Sequence, residues 1–292
     1  NDSWLGGLTP RQSRTKVRIP LGFNPSSLPA SAAPTATAMM HAGVIKKFGL
    51  FMLIRVALPL LPEGAQTWLP ILAWLCLGNI LYCGLVAMRQ KDLNQLIGNS
   101  SVAHMGFVFL GIASLTTIGL TGAVMVMFAH GLLAALAFGL SGYLHTQTRT
   151  LDMEKIFGLL KGMPFWGTAM IMALLAGCGL PGFANFAGEI TVFFGAWSIP
   201  AFEAGQKLTH PLQEYSLQFR VVTIIAIWSA LVIGAVYMLR AIRTLLHGMK
   251  DEQTPEVEDL KHWQRLPYAL LVAVLLLFGF YPKLITDKIS KS

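Results

Sequence analysis

PFWGTAMIMALLAGCGLPGFANFAGEITVFFGAW, residues 164–197, is a long apolar run with a proline and several glycines near its middle. As one α-helix it would be about 50 Å long at about 1.5 Å per residue, whereas the hydrocarbon core of a bilayer is about 30 Å thick. Gly179, Pro181 and Gly182 disfavour a continuous helix at that point. The run is therefore predicted to be either a hairpin of two short spans or one discontinuous transmembrane helix.

Six further apolar segments flank this run. They are residues 39–61, 69–88, 96–115, 119–144, 221–246 and 266–282. Residues 93–148 contain no Asp, Glu, Lys or Arg over 56 positions, which is enough for two spans of about 20 residues. Because the runs are continuous and lipid offers no partner to backbone amides, helices are favoured over barrel strands. The predicted fold is all-α, a polytopic membrane helix bundle of about seven transmembrane helices.

Composition and charge support a membrane protein. Of the 292 residues, 54% are hydrophobic and 12% are charged, about half the charge of a typical soluble chain. The net charge of +8 comes mainly from Lys and Arg between the apolar runs, which indicates topology rather than a nucleic-acid partner. If residues 164–197 form one discontinuous helix, 14 Lys and Arg residues fall on one side of the membrane and 4 on the other. If they form a hairpin, the numbers are 13 and 5. Residues 1–37 are predicted to be a polar, cytoplasmic leader or loop, and residues 38–289 the membrane domain.

The sequence lacks the motifs of cofactor-binding chains. It has no glycine-rich nucleotide-binding loop, no CxxC pair and no HExxH motif. Cys76 and Cys83 lie two turns apart in one apolar run, too far apart to form a disulfide. We expect no nucleotide, flavin, metal or iron–sulfur cluster on this chain.

Ionisable residues inside the apolar runs are the candidate functional groups. Glu189 is the only charged residue among the 41 positions between Lys161 and Glu203. A carboxylate at such a depth costs several kcal/mol unless it is protonated, paired or in contact with water. His104 and His130 lie inside successive runs, and histidine titrates near neutral pH. A lone buried histidine is more often a packing residue, but two beside a buried acid favour a proton relay.

Two adjacent lysines, Lys46 and Lys47, lie inside the first apolar run. Neighbouring positions on a helix point about 100° apart, so one can face the bundle while the other faces elsewhere. Snorkelling to the interface is the alternative explanation for one of them, and it is the better explanation for Arg55 near the far end of the run. His41 is a further candidate for the relay.

Five motifs occur in an order typical of one family. They are AAPTATAMMHAGVIKKFGLFMLIR (32–55), KDLNQLIGNSSVAHMGFVFLGI (91–112), MVMFAHGL (125–132), LAGCGLPGFANFAGE (175–189) and LLLFGFYP (275–282). Over residues 28–281 the chain resembles the antiporter-like proton-translocating subunits of respiratory complex I, NADH:quinone oxidoreductase. The resemblance is strongest to the M-type subunits.

The resemblance implies roles for particular residues. Lys47 corresponds to the family's central lysine, His104 and His130 to its relay histidines, and Glu189 to the terminal acid on a discontinuous helix. Glutamate at position 189, where related subunits usually have lysine, favours the M type. The family's fourteen helices form two inverted repeats, of which this chain has the last seven. Lys16 falls where the first repeat has a lysine, but in different surroundings.

The function that the resemblance implies is proton translocation as a membrane-arm subunit of NADH:quinone oxidoreductase, in a bacterial inner membrane. The implied partners are other membrane-arm subunits of complex I and the lipid bilayer, with redox chemistry on partner subunits and no cofactor on this chain. Two alternatives remain open. One is a subunit of a membrane-bound hydrogenase or cation/proton antiporter, and the other is a non-conducting structural membrane module.

Overall fold

The computed structural model describes residues 35–198, 210–247 and 257–289. These residues form helices and no β-strand, which confirms the all-α fold. The helices are α1, residues 35–60; α2, Pro62–Arg89; α3, Leu93–Ala113; α4, Thr117–Thr148; α5a, Pro164–Gly177; α5b, Ala184–Trp197; α6, residues 210–246; and α7, His262–Phe280. Two short helices, Leu159–Gly162 and Lys283–Ile289, precede α5a and follow α7.

The helices match the seven predicted segments. Five stretches are long and apolar enough to cross a bilayer: Ile71–Arg89, Leu93–Ala113, Thr117–Thr148, Phe219–Leu246 and His262–Phe280. Of the other two segments, α1 contains π-helical turns and the fifth is divided into α5a and α5b. Helix α1 is already formed at Thr35, inside the range predicted as a leader. Residues 1–34, including Lys16, lie outside the described residues.

Helix α5b continues in the direction of α5a along α4. Near the start of α5a, the indole nitrogen of Trp166 donates to the carbonyl of Leu140 on α4, at 2.8 Å. Near the end of α5b, Gly195 lies against the backbone of Gly119, at the opposite end of α4. In a hairpin, α5b would return to its starting level, so the hairpin interpretation is wrong. The segment is one discontinuous span, antiparallel to α4.

A glycine ends α5a by a defined hydrogen-bond pattern. Gly179 has a left-handed φ of 72°, its amide donates to the carbonyl of Ala176, and the amide of Leu180 donates to the carbonyl of Leu175, each at 3.3 Å. This is the Schellman motif, in which glycine is favoured because it has no β-carbon. Pro181 follows directly and cannot continue the helix. The predicted break is therefore confirmed at the glycines and proline that indicated it.

Helix α4 is the centre of the bundle. It contacts α1, α3, both halves of the broken span and α7. In the most apolar 18-residue stretch of α4, 67% of the residues are buried. In the corresponding stretch of α7, which lies on the periphery, 6% are buried. A helix that is apolar on all sides is stable when other helices or lipid surround it. This arrangement brings residues of α1, α3 and α5b next to His130 of α4.

Candidate functional site

Four ionisable side chains meet at the centre of the bundle, in the order Lys47, His130, His104, Glu189; we call them the ionisable row. The Lys47 Nζ atom lies 2.9 Å from His130 Nδ1. The rings of His130 and His104 have centroids 5.4 Å apart. The His104 Nε2 atom lies 3.5 Å from Glu189 Oε1. All four side chains are buried, with exposed fractions between 2% and 8%.

The backbone of α1 places Lys47 on this row. The turn before it, His41–Ile45, is π-helical, and the Lys47 ammonium donates to the carbonyl of Ala42 in that turn. Gly43 of α1 also faces Gly131 of α4, where an added β-carbon on Gly131 would lie 3.0 Å from the Gly43 carbonyl oxygen. Helices that cross at glycines approach closely. The close crossing lets a lysine one turn farther along reach His130.

The partners of His104 fix which nitrogen can exchange a proton. Its Nδ1 atom lies 2.7 Å from the Ser100 carbonyl oxygen, which can only accept, so Nδ1 carries hydrogen. In the neutral ring, Nε2 then presents its lone pair to Glu189. His104 can therefore gain and lose a proton at Nε2 without a change of tautomer.

Glu189 lies in the second turn of α5b, beside the break. Its Oε1 atom is buried and has no hydrogen-bond partner among the described residues. On its other side, Oε2 is close to Gly179. One turn earlier on the same helix face, the fully buried amide of Asn185 also has no partner in the described part of the chain. Unpaired buried polar atoms of this kind are typically satisfied by water.

Two small cavities adjoin the row. The Glu189 cavity is lined by His104, Cys178, Glu189, Ser229 and Tyr237 among others, and the His130 cavity by Ser100, Ser101, His104 and His130 among others. Each has a volume of about 20 Å³, which is enough for one or two water molecules. His104 lines both cavities.

The structure adds hydroxyl groups that sequence reasoning missed. The Tyr237 hydroxyl donates to Ser100 Oγ at 3.1 Å, and Ser100 Oγ lies 3.4 Å from His104 Nδ1. Both side chains are almost fully buried. The SSVAH motif shows that Ser100 precedes His104 by one helical turn, but no sequence signal links Tyr237 to it from 137 positions away.

The remaining predicted residues lie apart from the row. Lys46 points away from Lys47 and donates to Ser101 Oγ at 3.0 Å. His41 and Arg55 are exposed on α1. Gly182, which belongs to the break, faces Phe280 rather than Glu189.

The described residues contain no group of three or more His, Cys, Asp or Glu side chains that could hold a metal ion. Cys76, Cys83 and Cys178 are free thiols. The chemistry that the ionisable row supports is the uptake, exchange and release of protons by nitrogen and oxygen atoms.

Comparison with known proteins identifies the family. Residues 27–203 match the family described as NADH:quinone oxidoreductase/Mrp antiporter, TM. Chain 4 1 of the NAD(P)H-quinone oxidoreductase of Synechococcus elongatus is 37% identical over 86% of this chain and 44% of that protein. Subunit M of the NADH-quinone oxidoreductase of Rickettsia prowazekii is 31% identical over 87% of this chain and 48% of that protein. The chain thus spans about half the length of the curated relatives that it matches.

Solved structures show the same fold. A chain of respiratory complex I from Thermus thermophilus superposes with a TM-score of 0.75 and 27% identity, over 88% of this chain and 50% of that one. A chain of the Mrp complex from Dietzia gives a TM-score of 0.70 over 88% of this chain and 52% of that one, with 16% identity, and so shows likeness of fold alone. Because the family match covers more than half of the sequence, this chain belongs to the NADH:quinone oxidoreductase/Mrp antiporter family of transmembrane proteins.

Proposed function

We propose that this chain translocates protons across a membrane as part of the M-type membrane-arm subunit of an NADH:quinone oxidoreductase. The observation that supports the proposal is the ionisable row, in which four buried groups from four helices follow one another at the centre of the bundle. Relatives named chain 4 and subunit M agree with this role. Redox chemistry would then take place on partner subunits.

The spacing of the row suits the transfer of charge changes between neighbours. Two unit charges about 4 Å apart interact by about 4 kcal/mol at an effective dielectric constant of about 20. Moving one charge against 100 mV requires about 2.3 kcal/mol. A change of protonation at Glu189 is therefore large enough to alter the occupancy of His104, 3.5 Å away, against a physiological membrane potential. Coupled titration of this kind can carry a signal along the row.

The bilayer and other membrane-arm subunits are the proposed partners, and a bacterial inner membrane is the proposed location. Large apolar side chains are exposed on several helices, among them Trp68, Tyr82, Trp228 and Trp263. Extended exposed apolar surface indicates contact with lipid or with another protein. Aromatic residues of this type are also enriched at membrane interfaces.

The two alternatives have less support. Likeness to the Mrp complex concerns the fold, whereas the relatives above 30% identity are named quinone oxidoreductase subunits. A non-conducting structural module does not require buried ionisable groups, which are expensive in a membrane and are usually functional.

The test is the substitution Glu189→Gln in the complete complex, reconstituted in proteoliposomes. This change preserves shape and removes the titrating proton, so NADH-driven proton pumping should fall below about half of the wild-type rate while assembly is retained. Glu189→Asp should have a milder effect. Glu154→Gln, at an exposed loop glutamate, is the matched control. Pumping by Glu189→Gln at the rate of the control would refute the proposal.

A further inference from the structure

Lys46, which the ionisable row does not include, lies at a third and larger cavity. This Lys46 cavity is lined by Thr37, His41, Lys46, Gly98, Ser101 and Phe138 among others, is partly open to the outside of the described residues, and has a volume of about 310 Å³. Its few polar groups, among them Lys46 and Ser101, are the partners that water entering it could bind. Exposed His41 is part of its wall. The cavity lies toward the N-terminal end of α1, on the side that the distribution of Lys and Arg assigns to the cytoplasm.

Ser101 connects this cavity to the row. Its side chain accepts a hydrogen bond from the Lys46 ammonium at 3.0 Å on one side. The same residue lines the His130 cavity, and His130 itself is among the lining residues of that cavity. With Lys46 as the donor, the Ser101 hydroxyl retains its own hydrogen for donation to a water molecule in the His130 cavity.

We infer that the Lys46 cavity is a proton entry site for the row, with Lys46 as the first carrier and Ser101 as the group that transfers the proton inward. This inference rests on the proposed function and adds a route into it. It gives Lys47 a source of protons among the described residues of this chain.

The transfer balances at each atom. A proton leaves Lys46 Nζ and bonds to Ser101 Oγ, whose own hydrogen moves to a water molecule in the His130 cavity. That water transfers a proton to Nε2 of His130, and the proton on Nδ1 moves to the neutral amine of Lys47, 2.9 Å away. The result is one proton moved from Lys46 to Lys47, with Ser101 unchanged and His130 converted from its Nδ1–H to its Nε2–H tautomer. The Nδ1–H tautomer returns when Lys47 passes a proton back to Nδ1 and the hydrogen on Nε2 moves on along the row.

The adjacency of the two lysines favours such an exchange. Two ammonium groups on neighbouring residues repel each other, and the repulsion is stronger where water is scarce. A single proton shared between Lys46 and Lys47 is therefore the stable arrangement. When Lys47 passes its proton along the row, the repulsion on a newly arriving proton at Lys46 disappears.

The experiment compares variants of the complete complex in proteoliposomes, with NADH-driven pumping as the readout. Lys46→Met removes the carrier, and Lys46→Arg keeps a charged donor for Ser101 but does not release a proton near neutral pH. Both substitutions should lower the pumping rate about tenfold, which is a smaller loss than is typical when a proton-transfer group is removed. Ser101→Ala should lower it similarly, whereas Ser101→Thr, which keeps a hydroxyl, should restore it. Lys91→Met, at an exposed lysine, is the control.

Wild-type pumping in Lys46→Met would overturn the entry site. Wild-type pumping in Lys46→Arg would also overturn it, because the lysine would then serve only to hold Ser101. If the Lys46 variants fail to assemble, the comparison of Ser101→Ala with Ser101→Thr decides, and equal pumping in those two refutes the inference. Glu189→Gln, measured in parallel, separates the two proposals, since its normal pumping would contradict the proposed function itself.

Discussion

The carboxylate of Glu189 touches Gly179 across the break between α5a and α5b. A β-carbon added to Gly179 would lie 2.9 Å from Glu189 Oε2. The glycine that ends α5a by its left-handed φ therefore also leaves the space that the carboxylate occupies. Helix termination and the position of the acid depend on the same residue.

Gly179→Ala should displace Glu189 and lower proton pumping. The new methyl group has no room beside Oε2, so the carboxylate moves relative to His104, 3.5 Å away in the native arrangement. The left-handed φ adds about 1 kcal/mol of strain. Pumping in proteoliposomes should approach that of Glu189→Gln.

Gly182→Ala is the matched control for this substitution. Gly182 also has a positive φ, 105°, but its added β-carbon would be 3.5 Å from the ring of Phe280 and away from Glu189. We expect this variant to lower the melting temperature of the complex while each assembled complex pumps normally. Equal loss of pumping in both variants would show that strain at the break, rather than the position of Glu189, is responsible.

Gly131→Val should separate Lys47 from His130. The larger side chain meets the Gly43 carbonyl, which would lie 3.0 Å from the β-carbon alone. We expect α1 to move outward, the contact between Lys47 and His130 to lengthen, and pumping to fall with assembly retained. Gly49→Ala serves as the control on α1, because no described atom outside its own stretch of helix lies within 4 Å of its added β-carbon. Normal pumping by Gly131→Val would show that the close crossing is not required.

Asp259→Ala should destabilise α5a without changing the chemistry of the row. Asp259 accepts from the backbone amides of Phe165 and Trp166, at 3.0 and 3.1 Å, and lies 3.3 Å from the guanidinium of Arg265. Removing a carboxylate that caps a helix costs about 2 kcal/mol. A lower melting temperature of the detergent-solubilised complex is expected. Glu258→Ala, at the exposed neighbour, should melt like the wild type, and an equal decrease in both would contradict the capping role.

The apolar runs single out Glu189, His104 and His130 as candidates, and only the family resemblance favours Lys47 over Lys46. The arrangement of these side chains could not be predicted. A charged or titratable residue in a long apolar run is costly and therefore stands out, as Glu189 does among its neighbours. The contact between Lys47 and His130 joins positions 83 residues apart, and it depends on how closely α1 and α4 cross. Likewise the Gly-Leu-Pro-Gly sequence predicted a break, but only packing on α4 shows that α5b continues onward. The π-helical turn before Lys47 has no local signal, because the same residues are compatible with an α-helix.

Tyr237→Phe tests whether the hydroxyl groups beside His104 control its tautomer. Tyr237 holds Ser100 Oγ by donating to it at 3.1 Å, while the Ser100 carbonyl accepts from His104 Nδ1 at 2.7 Å. Without the tyrosine hydroxyl, Ser100 can rotate and donate its own hydrogen to Nδ1. That hydrogen bond favours the other tautomer, in which Nε2 carries hydrogen and no longer accepts a proton from Glu189.

We therefore expect pumping by Tyr237→Phe to fall several-fold, with a pH profile that differs from that of the wild type. Ser100→Ala removes the competing hydroxyl, so adding Tyr237→Phe to Ser100→Ala should have no further effect, as a double-mutant cycle can measure. Tyr268→Phe is the control, since the Tyr268 hydroxyl donates to the Gly139 carbonyl of α4 at 3.3 Å and not to a residue of α3 beside His104. Additive losses from Tyr237→Phe and Ser100→Ala would show that Tyr237 acts independently of Ser100, and the tautomer explanation would then be wrong.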